Sequence, residues 1–79
     1  MMNEQITMTP EQSFFAVFCI EALADELQTT GNVVYTMLTE SSDLLDSYII
    51  PYYSALHTQS KEYIVADLLD ILRKRGVVQ

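Results

Sequence analysis

The chain has 79 residues, a net charge of −7 and 49% apolar residues. A chain of this length forms one small domain, and its apolar content excludes disorder throughout. Only two glycines and two prolines are present, so most residues should lie in regular elements, and the abundance of Leu, Ala, Met and Glu favours helix. The sequence predicts a flexible tail at residues 1–8 and a single all-α domain, a small bundle of about four helices, at residues 9–79.

The charges are unevenly distributed along the chain. All four basic residues follow Ser60, whereas eight of the eleven acidic residues precede it. Because nucleic-acid binding depends on cations that neutralise phosphate, we expect no direct nucleic-acid partner. No apolar run is long enough to span a bilayer. A signal peptide begins with basic residues, and none precedes Pro10. The single cysteine can form no internal disulfide. These features predict a cytoplasmic protein that does not associate with a membrane.

The first helix is predicted from Pro10 to about Gln28. Thr9 is a favoured capping residue, Pro10 suits the first helical position, and Gln12 completes a capping box.

Apolar residues cover more than half of this helix, which indicates a central position or contacts on two sides. They are Phe15, Ala16, Cys19, Ile20, Ala22, Leu23, Ala24 and Leu27. The remaining wedge holds Phe14 and Phe18 beside Glu21, a mixture that suits a surface meeting a partner. The alternative is that a later segment of the same chain covers both phenylalanines.

A short helix is predicted at residues 31–40, after the turn signal Thr29-Thr30-Gly31-Asn32. Val33 and Val34 would also permit a strand, but no second strand-like run exists to pair with it. A third helix, at residues 43–57, should be kinked near Pro51 or interrupted near Ile50, with its second piece starting at Pro51, because proline lacks an amide and crowds the preceding turn.

The last helix, at residues 60–75, has the most regular apolar face. On the opposite face of this helix, Asp70 and Lys74 are spaced four residues apart, as an ion pair. The basic run Arg73–Arg75 lies in the last turn, where the helix dipole favours cations, and Gly76 should end the helix.

The sequence contains no pattern typical of an enzyme, and we predict no catalytic residue, no cofactor and no metal. It has no glycine-rich phosphate loop. Cys19 lies on an apolar helix face, where it should behave as a small hydrophobic residue. One histidine and one cysteine on separate elements match no zinc-binding spacing.

The stretch from Tyr52 to Gln59 holds the single histidine, His57, at the predicted junction of two helices. An imidazole at a helix C-terminus is favoured by the dipole and bonds a terminal carbonyl, which is a structural role. A partner contact, with Thr58 and Gln59 beside it, and general acid–base catalysis are the alternatives. Catalysis is the weakest of the three, because no nucleophile lies near in the sequence.

Two sequence blocks resemble a family of short bacterial proteins of unknown function. They are Phe15-x-x-Phe18-Cys19-Ile20-Glu21 and Leu56-His57-Thr58-Gln59-x-x-x-Tyr63-Ile64-Val65-x-Asp67. The resemblance covers Phe14 to Gly76 and departs from the family pattern at Ile49-Ile50-Pro51, where proline is unusual. It implies genes located beside larger proteins similar to ADP-ribosyltransferase toxins, and therefore an antitoxin-like or accessory role.

The sequence thus predicts a non-catalytic protein–protein interaction module that binds a larger protein or a second copy of itself. The predicted partner-binding residues are Phe14, Phe18, Glu21, Tyr52, Tyr53, His57, Thr58 and Gln59. The alternative is a small-molecule or ion-binding helical domain that uses the turn around His57, with Tyr63 and nearby carboxylates.

Overall fold

The structure, a computed structural model, describes residues 8–78. It contains the helices α1 (Pro10–Leu27), α2 (Gly31–Thr39), α3 (Tyr53–Leu56) and α4 (Lys61–Lys74), with a π-helical turn at Leu45–Ile49 between α2 and α3. The described residues form no β-strand. The predicted all-α bundle is therefore confirmed, with its third helix divided into two pieces. The predicted tail at residues 1–8 lies outside the described residues except for Met8.

Hydroxyl side chains cap the three longest helices at their N-termini. At α1 the capping box is complete: Thr9 Oγ1 accepts from the Gln12 amide at 3.1 Å, and Gln12 Oε1 accepts from the Thr9 amide at 3.0 Å. Thr30 accepts from Val33 at the start of α2, and Ser60 accepts from Tyr63 at the start of α4. Each bond satisfies an amide that has no partner within its helix, so these residues define where the helices begin.

The chain between α2 and α4 changes helical geometry around Pro51. The amide of Ile50 donates to the carbonyl of Leu45 at 3.1 Å, five residues earlier, which is the π-helical spacing. In an uninterrupted α-helix the Pro51 ring would collide with the carbonyl of Ser47, and the residue would donate no hydrogen bond. The helix is thus interrupted, one of the two predicted forms, and its second piece begins at Tyr53, two residues later than predicted.

The core lies where α1 packs against α2 and α4. Its fully or nearly fully buried side chains are Cys19 and Leu23 from α1, Val34 and Leu38 from α2, Leu44 and Ile49 around the π turn, and Ile64, Leu68 and Leu72 from α4. No polar or charged side chain among the described residues is buried. The core is therefore apolar, and any polar chemistry lies at the surface.

Two polar contacts connect α4 to the π-helical turn and its approach. The hydroxyl of Tyr48 donates to Asp67 Oδ2. The guanidinium of Arg75 donates to Asp43 Oδ1 at 2.7 Å and, as the main cause, holds the pKa of that carboxyl below its usual range. The predicted pair of Asp70 and Lys74 is present at 3.0 Å.

Candidate interaction surface

A row of exposed apolar side chains runs along the outer face of α1. Phe14 is 75% exposed, Val17 51% and Phe18 40%. Their spacing of three and four residues places them on one side of the helix, and we call them the α1 row. The alternative prediction, that a later segment covers the two phenylalanines, is wrong, since both side chains remain exposed.

Val17 was missed by the sequence reasoning. Its position between Phe14 and Phe18 on the same helical face was the available signal.

Carboxylates border the α1 row. Glu11, Glu21 and Asp25 are exposed, and α1 contains no lysine or arginine. The predicted contact residue Glu21 lies three positions after Phe18, on the same face of the helix. The surface therefore combines apolar area with negative charge.

A chain of ring contacts connects the α1 row to the turn after α3. The rings of Phe18 and Phe15 are 6.2 Å apart and stacked, and Phe15 meets the Tyr53 ring edge-on at 5.5 Å. Tyr53 then stacks on His57 at 4.4 Å with an angle of 9° between the planes. Phe18 is thus brought to the same side of the molecule as Tyr53 and His57, which are far from it in sequence, and the buried Phe15 connects them.

The side chains of the turn bond the end of α3. The Nδ1 atom of His57 lies 2.8 Å from the carbonyl oxygen of Tyr53, which accepts a hydrogen bond from it when that nitrogen is protonated. Thr58 Oγ1 donates to the carbonyl of Ala55 at 3.1 Å. These are the contacts expected of a helix C-terminus, so the structural role predicted for His57 is present. Gln59 is exposed.

Tyr52 belongs to a second aromatic group. Its ring lies 5.2 Å from that of Tyr48, whose hydroxyl bonds Asp67 on α4. That hydrogen bond, with burial and neighbouring charges, raises the pKa of Tyr48 to about 12, because the carboxylate stabilises the protonated phenol. The ring contacts therefore assign Tyr52 to a different group from that of Phe18, Tyr53 and His57.

A groove lies between α1 and α4. It encloses about 620 Å³, and its apolar lining consists of Ala22 on α1 with Val65, Ala66 and Leu69 on α4. Its charged lining is Asp25 and Glu26 on α1 and Lys61, Glu62 and Arg73 on α4. We call this the α1–α4 groove.

A smaller cavity of about 160 Å³ joins the groove to the α1 row. It is lined by Phe18 and Glu21 together with Ala22, Asp25 and Lys61, and the last three also line the groove. A third cavity, of about 450 Å³, lies by α2 between Val33 and Val77. The first two cavities and the α1 row form one continuous surface.

Two observations on the described residues concern thiol chemistry and metal binding. Cys19 is fully buried, as predicted, and burial raises the pKa of its thiol to about 12, so the reactive thiolate is suppressed. No three His, Cys, Asp or Glu side chains within residues 8–78 group as a metal site would require. Over the same residues, no helix has the length and apolar character needed to cross a bilayer.

The fold and surface define a small all-α domain with an exposed apolar face. The chain belongs to the family described as "Protein of unknown function (DUF3791)", whose family model matches residues 14–75. No curated protein and no solved structure matches the chain.

Proposed function

We propose that this protein is a non-catalytic protein–protein interaction module whose contact surface is centred on the α1 row. The observation that carries the proposal is the exposure of Phe14, Val17 and Phe18 on one helical face. Single exposed apolar residues are ordinary, whereas a contiguous apolar patch bordered by charge is typical of a binding surface.

Burial of the α1 row would contribute to the free energy of binding a partner. Full burial of a Val or Phe side chain contributes about 1.5–3 kcal/mol relative to full exposure. Phe14 retains three quarters of its exposure and Val17 about half, so a partner that covers the row gains several kcal/mol before the costs of association. Phe14 and Phe18 are the candidate hot spots, since large aromatic anchors contribute strongly to interfaces.

The aromatic contacts hold the Phe18 side chain in place. Because Phe18 rests on Phe15, and Phe15 on Tyr53, Phe18 has a preformed support and loses less side-chain entropy on binding. His57 stacks at the other end of this chain, and Thr58 and Gln59 follow it. We propose that these residues extend the contact surface. Tyr52, which packs against Tyr48, would contribute to the part of the surface next to them.

A ligand site at His57 is the weaker alternative. The ring is stacked on Tyr53 and its Nδ1 atom is within bonding distance of a carbonyl. None of the three cavities described above is lined by His57 or Tyr63. The exposed apolar row therefore gives the interaction module more support.

The proposal has a finer form, in which the protein is an antitoxin-like or accessory subunit of a larger bacterial protein in the cytoplasm. Its support is the sequence resemblance given above and the apolar α1 row. Co-expression with the protein encoded by the neighbouring gene tests it: the expected result is a stable complex and, for a toxin, protection of the host. Independent behaviour of the two proteins would contradict the finer form.

The general proposal is tested with the variant that combines Phe14→Ser and Phe18→Ser. Tagged wild-type and variant proteins are compared by sedimentation and by affinity capture from the native host. The wild type should form a dimer or retain a defined partner, and the double variant should lose that association while keeping its helical circular dichroism.

The control is Tyr35→Ser, which removes an exposed aromatic ring from α2, where Tyr35 is 52% exposed. It should associate as the wild type does. A wild-type protein that sediments as a monomer and retains the same proteins as the double variant would rule out the proposed surface.

A further inference from the structure

The charges around the α1–α4 groove and its neighbouring cavity are unequal. The two cavities are lined by four carboxylates and two cations, namely Glu21, Asp25, Glu26 and Glu62 with Lys61 and Arg73. Three of the carboxylates are on α1 and both cations are on α4. The rim on the α1 side is thus wholly acidic.

A groove between two helices is a position at which a third helix can pack. An α-helix with its side chains is about 10–12 Å across, and helices pack with their axes about 8–10 Å apart. Ala22 and Ala66 line the groove from opposite helices, and such small side chains allow a third helix to approach closely. An amphipathic helix in an apolar groove is a recurring mode of recognition, in which residues at helical spacing serve as anchors.

A second copy of this chain is a poor occupant. Of its four cations, Lys74 pairs with Asp70 and Arg75 with Asp43, and the other two line the groove itself. The α1 helix of a second copy would bring its own carboxylates against those of the first. Like charges placed together at an interface cost free energy, which disfavours this pairing.

We propose that the groove receives an amphipathic helix from a different protein, with basic residues on the flank that faces α1. Its apolar side would lie on Ala22, Val65, Ala66 and Leu69 and extend to Phe18 at the adjoining cavity. Lysine or arginine side chains would then meet Glu21 and Asp25. This inference rests on the proposed interaction function and adds the chemistry of the partner.

The probe is a set of three synthetic helical peptides of about 14 residues, or four turns. All carry the same leucine face, and their polar faces are built from lysine, glutamate or glutamine. The lysine peptide should bind the wild-type protein most tightly and lose affinity as salt is added, because salt screens exposed charges. The glutamate peptide should bind at least tenfold more weakly.

A charge-matched pair of variants separates this site from general attraction to an acidic protein. The site variant combines Glu21→Lys and Asp25→Lys, and the control combines Glu40→Lys and Asp46→Lys, so both have the same net charge. The site variant should lose about tenfold in affinity for the lysine peptide, equivalent to about 1.4 kcal/mol, beyond any loss in the control. Equal losses in the two variants would overturn the proposal.

A neutral, bulky substitution tests the groove itself. Ala66→Gln places a longer side chain on the lining of the groove at an exposed position. The control, Ala55→Gln, makes the same exchange at an exposed position on α3 that does not line the groove. Only Ala66→Gln should weaken binding of the lysine peptide. Unchanged binding in that variant, or no binding of the lysine peptide to the wild type, would overturn the inference.

The two proposals fail in different ways. If the double serine variant on the α1 row loses a native partner but the peptides show no preference, the interaction function stands and the basic helix is wrong. If neither experiment shows a difference, both proposals are wrong.

Discussion

Tyr48 shows how a single residue connects distant parts of this small fold. Its hydroxyl donates to Asp67 across 19 positions of sequence, joining the π-helical turn to α4. The carboxylate acceptor and partial burial raise the pKa of Tyr48 to about 12, against about 10 for an unperturbed tyrosine. The folded state therefore holds this proton more tightly than the unfolded state does.

The stability that this bond contributes depends on pH in a defined direction. Because the folded pKa is raised, the contribution is complete below about pH 10 and is lost as the pH rises toward 12. In an absorbance titration of the tyrosines, Tyr48 should ionise in a late step near pH 12. Tyr48→Phe should abolish that step. It should also lower the free energy of unfolding at neutral pH by about 1 kcal/mol, since Asp67 loses its partner.

The control for that titration is Tyr35→Phe, which removes a half-exposed phenol from α2. The late step should persist in this variant. A late step that survives Tyr48→Phe would show that another tyrosine is responsible.

Both α1 and α4 are followed by a residue in the left-handed backbone conformation, but only one of the two residues is glycine. The chain after α1 takes a positive φ of 56° at Gln28, and the chain after α4 takes 75° at Gly76. At both ends an amide bonds a carbonyl five residues earlier, Thr29 to Ala24 and Val77 to Leu72. The same termination motif is thus built with glycine at one end and without it at the other.

Reciprocal substitutions at these two ends should change stability in opposite directions. Gln28→Gly relieves a side chain from a left-handed conformation and should raise the free energy of unfolding by up to about 1 kcal/mol. Gly76→Ala imposes that strain and should lower it by about 1 kcal/mol, although no atom lies within 4 Å of the added Cβ. Urea denaturation measures both, and shifts of the same sign would contradict the explanation.

The N-terminal caps are a second feature at the scale of the element. Thr9→Ala should cost about 1 kcal/mol, because it removes half of a capping box. Ser60→Ala should cost a similar amount at the start of α4. Ser54→Ala, at an exposed position inside α3, is the control and should change stability by less than about 0.5 kcal/mol. Thermal unfolding distinguishes the three; a control as destabilised as the cap variants would refute the capping argument.

At the scale of the whole molecule, apolar residues are divided between a core and an outer face. Leu68 is fully buried where α4 meets α1, whereas Phe14 is exposed. A chain of this size has a total stability of only about 5–10 kcal/mol. It can therefore spare little of its core, whereas Phe14, the most exposed member of the α1 row, contributes little to the stability of the fold.

This division predicts opposite sensitivities. Leu68→Ala should lower the free energy of unfolding by about 2–5 kcal/mol, because it removes buried methyl groups and leaves a cavity. Phe14→Ser should change it by less than about 0.5 kcal/mol while weakening partner binding. Urea denaturation of both variants is the measurement. A large loss of stability in Phe14→Ser would assign that side chain to the fold and remove it from the interaction surface.

Much of the helical architecture was predictable from local patterns. Thr9, Pro10 and Gln12 predicted the start of α1, and Gly76 predicted the end of α4, because capping depends on residues adjacent in sequence. The break near Pro51 was also predictable, since proline lacks an amide. Its form was not: whether the chain kinks or widens into a π turn depends on how Leu45 and Ile49 pack into the core.

The amino-acid sequence by itself determined the all-α class, the approximate boundaries of α1, α2 and α4, and the separation of acidic from basic residues, since these follow from short-range periodicity and composition. Only the tertiary structure decided that Phe14 and Phe18 remain exposed, because burial depends on which helices pack against α1. It also decided that Phe18 reaches His57 through Phe15 and Tyr53, and that a groove with unequal charges opens beside them. Those contacts join residues that are far apart along the chain.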